Sequence, residues 1–300
     1  MKQAILVVAF AVATCLLASG LADAQGVTHS VTNGRLTVGV SAGWGGAIVY
    51  LTDTQMAGGR NVIVSPDTGT DAQVSIYSGA GTDCWPCGNP SCDTGWNAVQ
   101  AGNACNVGSG YQAASSDGST IYTRTQPLQW DPDRGRSNLI VEQWISLPAA
   151  NVVKMEYLVT NNETMTVGGR THEWPVAYLD GTLVYPYTYD GGSPWTYDTP
   201  TLVNVPVPNP ITFTSTEPWV AWTWDDGGGP YGVTLYVPTS QAHDTWGMRR
   251  WTPSGSVSRS ILQNWGSWSL APGQSVALTA YLITGPLSDA RAQVYAYEGH

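Results

Sequence analysis

Two glutamates lie where a carboxyl could exchange a proton with a bound molecule. Glu173 sits in Thr171-His172-Glu173-Trp174-Pro175-Val176-Ala177-Tyr178, and Glu217 in Glu217-Pro218-Trp219-Val220-Ala221-Trp222. An apolar setting penalises the charged form of a carboxyl and raises its pKa toward that of a general acid. Two carboxyls flanking a glycosidic bond are the machinery of most glycoside hydrolases. Glu173 and Glu217 are therefore candidate acid and partner, with His172 beside them in a chain of only four histidines. The competing reading is structural: Glu173 bonded to backbone N–H groups, Glu217 at a strand edge in solvent, His172 satisfied within the fold. Neighbouring strand residues face opposite ways, so His172 and Glu173 cannot share a cleft on a regular strand.

Around these carboxyls stand residues suited to sugar hydroxyls and sugar faces. In Asp71–Tyr77, alternation sends Gln73, Ser75 and Tyr77 to one face and Val74 and Ile76 to the other. Asn97 and Gln100 follow Trp96 in a second polar segment. Fourteen tryptophans against two phenylalanines is an unusual balance. Indole and phenol rings offer a flat apolar face with a polar handle, as sugar stacking requires. Trp96, Trp195, Trp219 and Tyr187 are the stacking candidates; filling a β core is the alternative use of such rings. Asp131 to Glu142 faintly echoes a calcium loop, but Gly135 and Arg136 stand where a ligand and the turn glycine belong. No metal or other cofactor is expected.

The elements that must position these residues are strands. Leu36–Val40, Ala47–Leu51, Gln73–Tyr77, Thr120–Thr125, Leu139–Leu147, Val152–Val159, Trp174–Leu179, Trp219–Trp224, Tyr231–Val237, Val257–Leu262 and Ser275–Ile283 read as strands between Gly, Pro, Asn and Asp clusters. Asn33-Gly34 marks a hairpin turn. One short helix fits near Ser288–Val294, and helical periodicity is sustained nowhere else. The pattern predicts an all-β, antiparallel β-sandwich. The long loop from Ser78 to Gly110 interrupts it and carries Cys84, Cys87, Cys92 and Cys105. In an oxidising compartment four such cysteines form two disulfides, with three pairings open; a zinc knuckle is the rival.

The compartment follows from the first residues. Lys2, an uncharged apolar run from Ala4 to Leu17, and Ala22-Asp23-Ala24 make a cleavable signal peptide over 1–24, leaving 25–300 as a single β-sandwich domain. The apolar run falls short of the about 20 residues a membrane span needs. The formal net charge is −10, and Lys154 is the one lysine after residue 24. A basic footprint for nucleic acid is lacking, so no nucleic-acid or membrane partner is expected. A polysaccharide or oligosaccharide is.

Leu36-Thr-Val-Gly-Val-Ser with Gly45-Gly46-Ala-Ile, and Leu270-Ala-Pro-Gly-Gln-Ser before a long strand, resemble galactose-mutarotase-like supersandwich domains. The middle of the chain resembles a set of secreted sandwich proteins through Asn61, Asp67, Gly69, Gln73, Ser75 and Tyr77, then Trp96-Asn97-Ala98-Val99-Gln100-Ala101-Gly102, then Glu173-Trp174-Pro175 and Tyr178. Thr70, Ala98 and His172 depart from that pattern's Arg, Pro and Gln. The resemblance implies a supersandwich fold, which carries epimerases, hydrolase and lyase domains and binding modules alike. The two-histidine-plus-glutamate set of true mutarotases is not recognisable, which argues against an epimerase. The leading expectation is a secreted glycoside hydrolase on a neutral or weakly charged polysaccharide. A non-catalytic carbohydrate-binding or cell-surface module and a polysaccharide lyase are the alternatives.

Overall fold

A computed structural model describes residues 26–56, 59–64, 67–82, 84–207, 209–225, 231–243, 245–251 and 259–300. The expected signal peptide, 1–24, lies outside them. The strands are β1 (Val27–Thr32), β2 (Leu36–Ser41), β3 (Ile48–Asp53), β4 (Ala72–Ser78), β5 (Trp96–Val99), β6 (Tyr111–Ser116), β7 (Thr120–Thr125), β8 (Leu128–Gln129), β9 (Leu139–Ala149), β10 (Val152–Asn161), β11 (Val167–Asp180), β12 (Tyr185–Thr188), β13 (Thr201–Leu202), β14 (Ile211–Thr214), β15 (Trp219–Thr223), β16 (Gly232–Tyr236), β17 (Thr245–Trp251), β18 (Arg259–Leu270) and β19 (Ser275–Gly285). One helix, α1 (Leu287–Glu298), follows.

The described strands form two antiparallel sheets. A ten-stranded sheet runs β1-β2-β3-β4-β11-β18-β17-β14, with β5 added at β4 and β8 at β5. A nine-stranded sheet runs β13-β12-β15-β16-β19-β10-β9-β7-β6. The Asn33-Gly34 turn joins β1 to β2, with Gly34 at φ 89°, a conformation that suits glycine in tight hairpins.

The main core lies between the sheets. Val38, Val74, Ile76, Leu179 and Leu262 from one meet Ile145, Met155, Val159, Leu278 and Leu282 from the other. Strand alternation therefore turns the residues next to them outward. On the nine-stranded sheet the outer face is covered by α1: Leu287, Ala290, Val294 and Tyr295 pack with Tyr187, Trp219, Tyr236 and Ile283. The outer face of the ten-stranded sheet has no helix over it among the described residues.

The cysteine loop is held by two interleaved disulfides, Cys84–Cys92 and Cys87–Cys105. Among the described residues no helix is long and apolar enough to cross a membrane.

Candidate functional site

Glu173 occupies the outer face of the ten-stranded sheet. It pairs with Ser75 on β4 and Trp265 on β18, and antiparallel partners share a face. Their chain neighbours Val74, Ile76 and Trp174 lie in the core. The same registers bring Gln73 opposite Val176, Tyr77 opposite Asn97, and Tyr178 opposite Ile261, which pairs in turn with Arg249. A bulge in β11 between Glu173 and Val176, around the cis Trp174-Pro175 peptide, sets this register.

At one end of the face Tyr178 stands among charges. Burial raises its phenol well above the usual range, and the negative charges of Glu173 and Asp67 add to this against Arg249 and Arg259. Asp67 is fixed: Arg259 Nη2 lies 2.9 Å from its Oδ2, and the Gly69 N–H donates to its Oδ1 at 3.1 Å. At the other end the Arg170 guanidinium lies over the Tyr77 ring, 5.4 Å from its centre.

Buried polar atoms on this face without a hydrogen-bond partner include Asn97 Oδ1, Arg170 Nη1 and Trp265 Nε1. An unmatched buried polar atom costs about 1–3 kcal/mol, so such atoms are rare and ask for a reason. Here they are spread across the strands, Asn97 and Arg170 beside Tyr77 and Trp265 opposite Glu173 with its Nε1 toward Gly247 on β17, two donors and one acceptor. Gly247, on β17 opposite Gln263, keeps room for the Trp265 indole: a Cβ there would fall 2.2 Å from Trp265 Nε1 and 2.5 Å from Gln263 Nε2.

The expected site residues divide. Glu173, Tyr77 and Asn97 share the outer face with Gln73, but the Gln73 amide is spent on the fold. Its Oε1 accepts from Ala101 N at 2.9 Å and its Nε2 donates to the Thr68 carbonyl at 3.2 Å. Gln100 corrects the expectation of a sugar contact: wholly buried, it donates to Gln143 Oε1 at 2.8 Å, and Gln143 donates to the Tyr157 hydroxyl. Trp96 pairs with Ser78 and packs against the main core, on the face opposite Asn97.

His172 is likewise structural. Its Nδ1 accepts the Tyr77 N–H at 3.0 Å and its Nε2 faces the Trp268 carbonyl at 3.1 Å, which fixes the Nε2–H tautomer. Burial lowers its pKa to about 4, and His243 and Arg170 push the same way against the Trp268 carbonyl. A neutral ring with both nitrogens engaged is not available as a proton carrier near neutral pH.

Trp219 and Tyr187 belong to the other sheet, and Glu217 and Trp195 lie in segments packed beside it. Glu217 is wholly buried under α1. Its carboxylate lies 3.1 Å from Arg291 Nη2, accepts from the Trp219 indole at 2.6 Å and the Trp195 N–H at 3.1 Å, and accepts from the Tyr295 hydroxyl. Burial and that bond raise the Tyr295 phenol to about 12. Trp219 and Tyr187 pack in the α1 cluster, and Trp195 stacks on His300 at 4.6 Å. The expected Glu173–Glu217 pair is thus divided between opposite outer faces of the sandwich. Glu217 and Trp219 do meet, but the pair anchors a helix.

Asp131 accepts from Asp133 N at 3.0 Å to cap a 3₁₀ turn, Pro132–Arg134, while Glu142 accepts from the Tyr122 hydroxyl at 2.7 Å. No group of three or more His, Cys, Asp or Glu with metal-binding geometry occurs among the described residues. Trp265, Arg170, Arg249 and Arg259 were not singled out from sequence. Of the expected strand Val257–Leu262, residues 257 and 258 lie outside the described residues and the rest opens β18, whose continuation to Leu270 through Gly266 carries no clear alternation signal.

No family model matches the chain, and no curated protein matches it in sequence. Solved structures do match. A galactose mutarotase-like protein from Lactobacillus casei shares 10% identity over 85% of this chain and 99% of its own, with a TM-score of 0.52. A galactose mutarotase related enzyme from Lactobacillus acidophilus gives the same identity and TM-score, covering 85% of this chain and 96% of its own. The Synechocystis protein Slr1438 shares 10% identity over 87% of this chain and 96% of its own, with a TM-score of 0.56. The chain has a galactose-mutarotase-like fold, carried on a sequence that shares about a tenth of its residues with these structures.

Proposed function

We propose that the protein is an exported carbohydrate-binding protein whose ligand lies on the outer face of the ten-stranded sheet, around Glu173, Tyr77 and Tyr178. The observation that carries this reading is the row of unmatched polar atoms across that face, Asn97 Oδ1, Arg170 Nη1 and Trp265 Nε1. Sugar hydroxyls both donate and accept, so a sugar ligand lying across these strands can answer such atoms. Glu173 adds a charged acceptor, which makes stronger hydrogen bonds than a neutral one. The galactose-mutarotase-like fold and two disulfides fit such a protein, cleaved after Ala24 and acting outside the cytoplasm as one domain.

Hydrolysis is the second reading, favoured by one observation: Glu173 and Asp67 both bear on Tyr178. Asp67 then replaces Glu217 as the partner carboxyl, with its orientation set by the salt bridge to Arg259. The lyase reading loses support. A lyase base must give up a proton readily, and the Tyr178 phenol is pushed the other way. The deciding experiment sets affinity electrophoresis on soluble glucans, galactans, xylans and mannans beside reducing-end and unsaturated-product assays on the same polymers. Retention without products supports binding; reducing ends support hydrolysis. Absence of both rejects the carbohydrate reading.

A further inference from the structure

Trp85 is 49% exposed and belongs to none of the apolar clusters. A large ring left open on a surface is ordinarily carried on a mobile loop, but the backbone that carries this one is clamped. Cys84 before it and Cys87 two residues after it are each bridged, to Cys92 and Cys105. Arg134 ties the same loop down through Asp93, Nη2 to Oδ1 at 2.9 Å.

The frame points Trp85 at the candidate site. Its ring meets Trp130 edge to face, with centroids 5.2 Å apart and planes at 88°. The Trp130 N–H donates to the Asn97 carbonyl at 2.7 Å. Its indole also presses on Gly69, where a Cβ would fall 2.5 Å from a Trp130 ring carbon. Gly69 is tied to Asp67, and Asp67 holds Arg259 beside Tyr178. An unbroken set of contacts therefore runs from the exposed indole to the charged end of the outer face.

We infer that Trp85 and Trp130 form an aromatic subsite at the rim of that face, which stacks the apolar side of a further sugar ring of the same chain. This inference rests on the carbohydrate reading above and extends it to a ligand of several residues. An edge-to-face pair leaves flat indole surface open, and a ring held by two covalent bridges loses little conformational entropy on stacking. The disulfides then serve binding as well as stability.

The test uses the full mature chain on the soluble polysaccharide that retains it best in affinity electrophoresis. Trp85→Ala should weaken retention about tenfold at an unchanged melting temperature, the scale of one lost aromatic contact. Trp85→Phe should keep most of it, because a flat ring remains. The double change Cys84→Ser with Cys92→Ser should weaken retention as Trp85→Ala does, with the Cys87–Cys105 bridge intact. If Trp85→Ala is retained like the unchanged protein, the subsite is wrong and the carbohydrate reading stands. If the unchanged protein is retained by none of the polysaccharides, the carbohydrate reading fails and the subsite falls with it.

Discussion

His172 fills a gap in the ten-stranded sheet: its Nδ1 accepts the Tyr77 N–H at 3.0 Å where β11 bulges away from β4. Protonation of Nδ1 would break that bond, and burial already lowers the ring's pKa to about 4. The unfolded chain, with an ordinary histidine near pH 6.5, binds more protons between pH 6.5 and about 4, so stability falls as pH drops through that window and levels off below it. From pH 7 to pH 5 the loss due to His172 is about 2 kcal/mol. Urea unfolding at both pH values should show this loss shrink by that amount in His172→Asn, which can still accept from Tyr77 but does not titrate. An equal loss in both proteins would show that His172 does not govern the dependence.

Glu217 and Arg291 should behave as a structural pair. Removing one partner of a buried ion pair leaves an uncompensated charge and costs about 3–5 kcal/mol. Glu217→Gln should therefore lower stability by that order, with Arg291 and the raised Tyr295 phenol left in a dry site. Replacing both, as Glu217→Leu with Arg291→Met, should cost less than the sum of the single changes. Ligand binding per folded molecule should not change, because the pair lies under α1 on the far sheet. Denaturant unfolding and binding measured on the same samples check both statements.

Much of the fold was legible because apolar alternation is a local signal. Gln73–Tyr77, Leu139–Leu147, Val152–Val159 and Ser275–Ile283 all fall within observed strands. The helix near Ser288–Val294 is present and runs longer, Leu287–Glu298. Short β5 hides in the cysteine loop, and β17 reads Thr-Trp-Gly-Met-Arg-Arg-Trp, with glycine and paired arginines that sequence rules assign to loops. The site was less legible because burial, not residue type, decides between sugar contact and scaffold. Gln73, Gln100 and Glu217 have the right chemistry, but protein groups already use it. Arg170 and Trp265 matter through cross-strand register, which no local pattern encodes.

Gly247 should be intolerant of a side chain for a reason tied to the site. A Cβ there would overlap Trp265 and Gln263 on the outer face, and overpacking of this kind typically costs about 1–3 kcal/mol. Gly247→Ala should displace the Trp265 indole, so ligand retention should fall with only a modest drop in melting temperature. The tryptophan emission should shift with it. Unchanged retention and emission would show that Trp265 does not take part in binding.

Glu173→Gln separates recognition from catalysis. Glu173 is half-buried on the outer face, and the swap keeps shape while replacing a charged acceptor by a neutral amide. Melting temperature should therefore hold within a degree or two of the unchanged protein. On the binding reading, retention on polysaccharide should weaken severalfold, because a charge-assisted hydrogen bond becomes an ordinary one. No reducing ends should form with either protein. On the hydrolytic reading, the unchanged protein releases reducing ends, and the variant loses about 10²–10⁴-fold of that rate while still binding, the usual worth of general acid–base assistance. Asp67→Asn then serves as a second probe. It should lower turnover if Asp67 is the partner carboxyl, and it should also loosen Arg259 and shift the melting temperature, because the 2.9 Å salt bridge is lost. A Glu173→Gln protein that melts normally and is retained and active like the unchanged one would remove Glu173 from both roles.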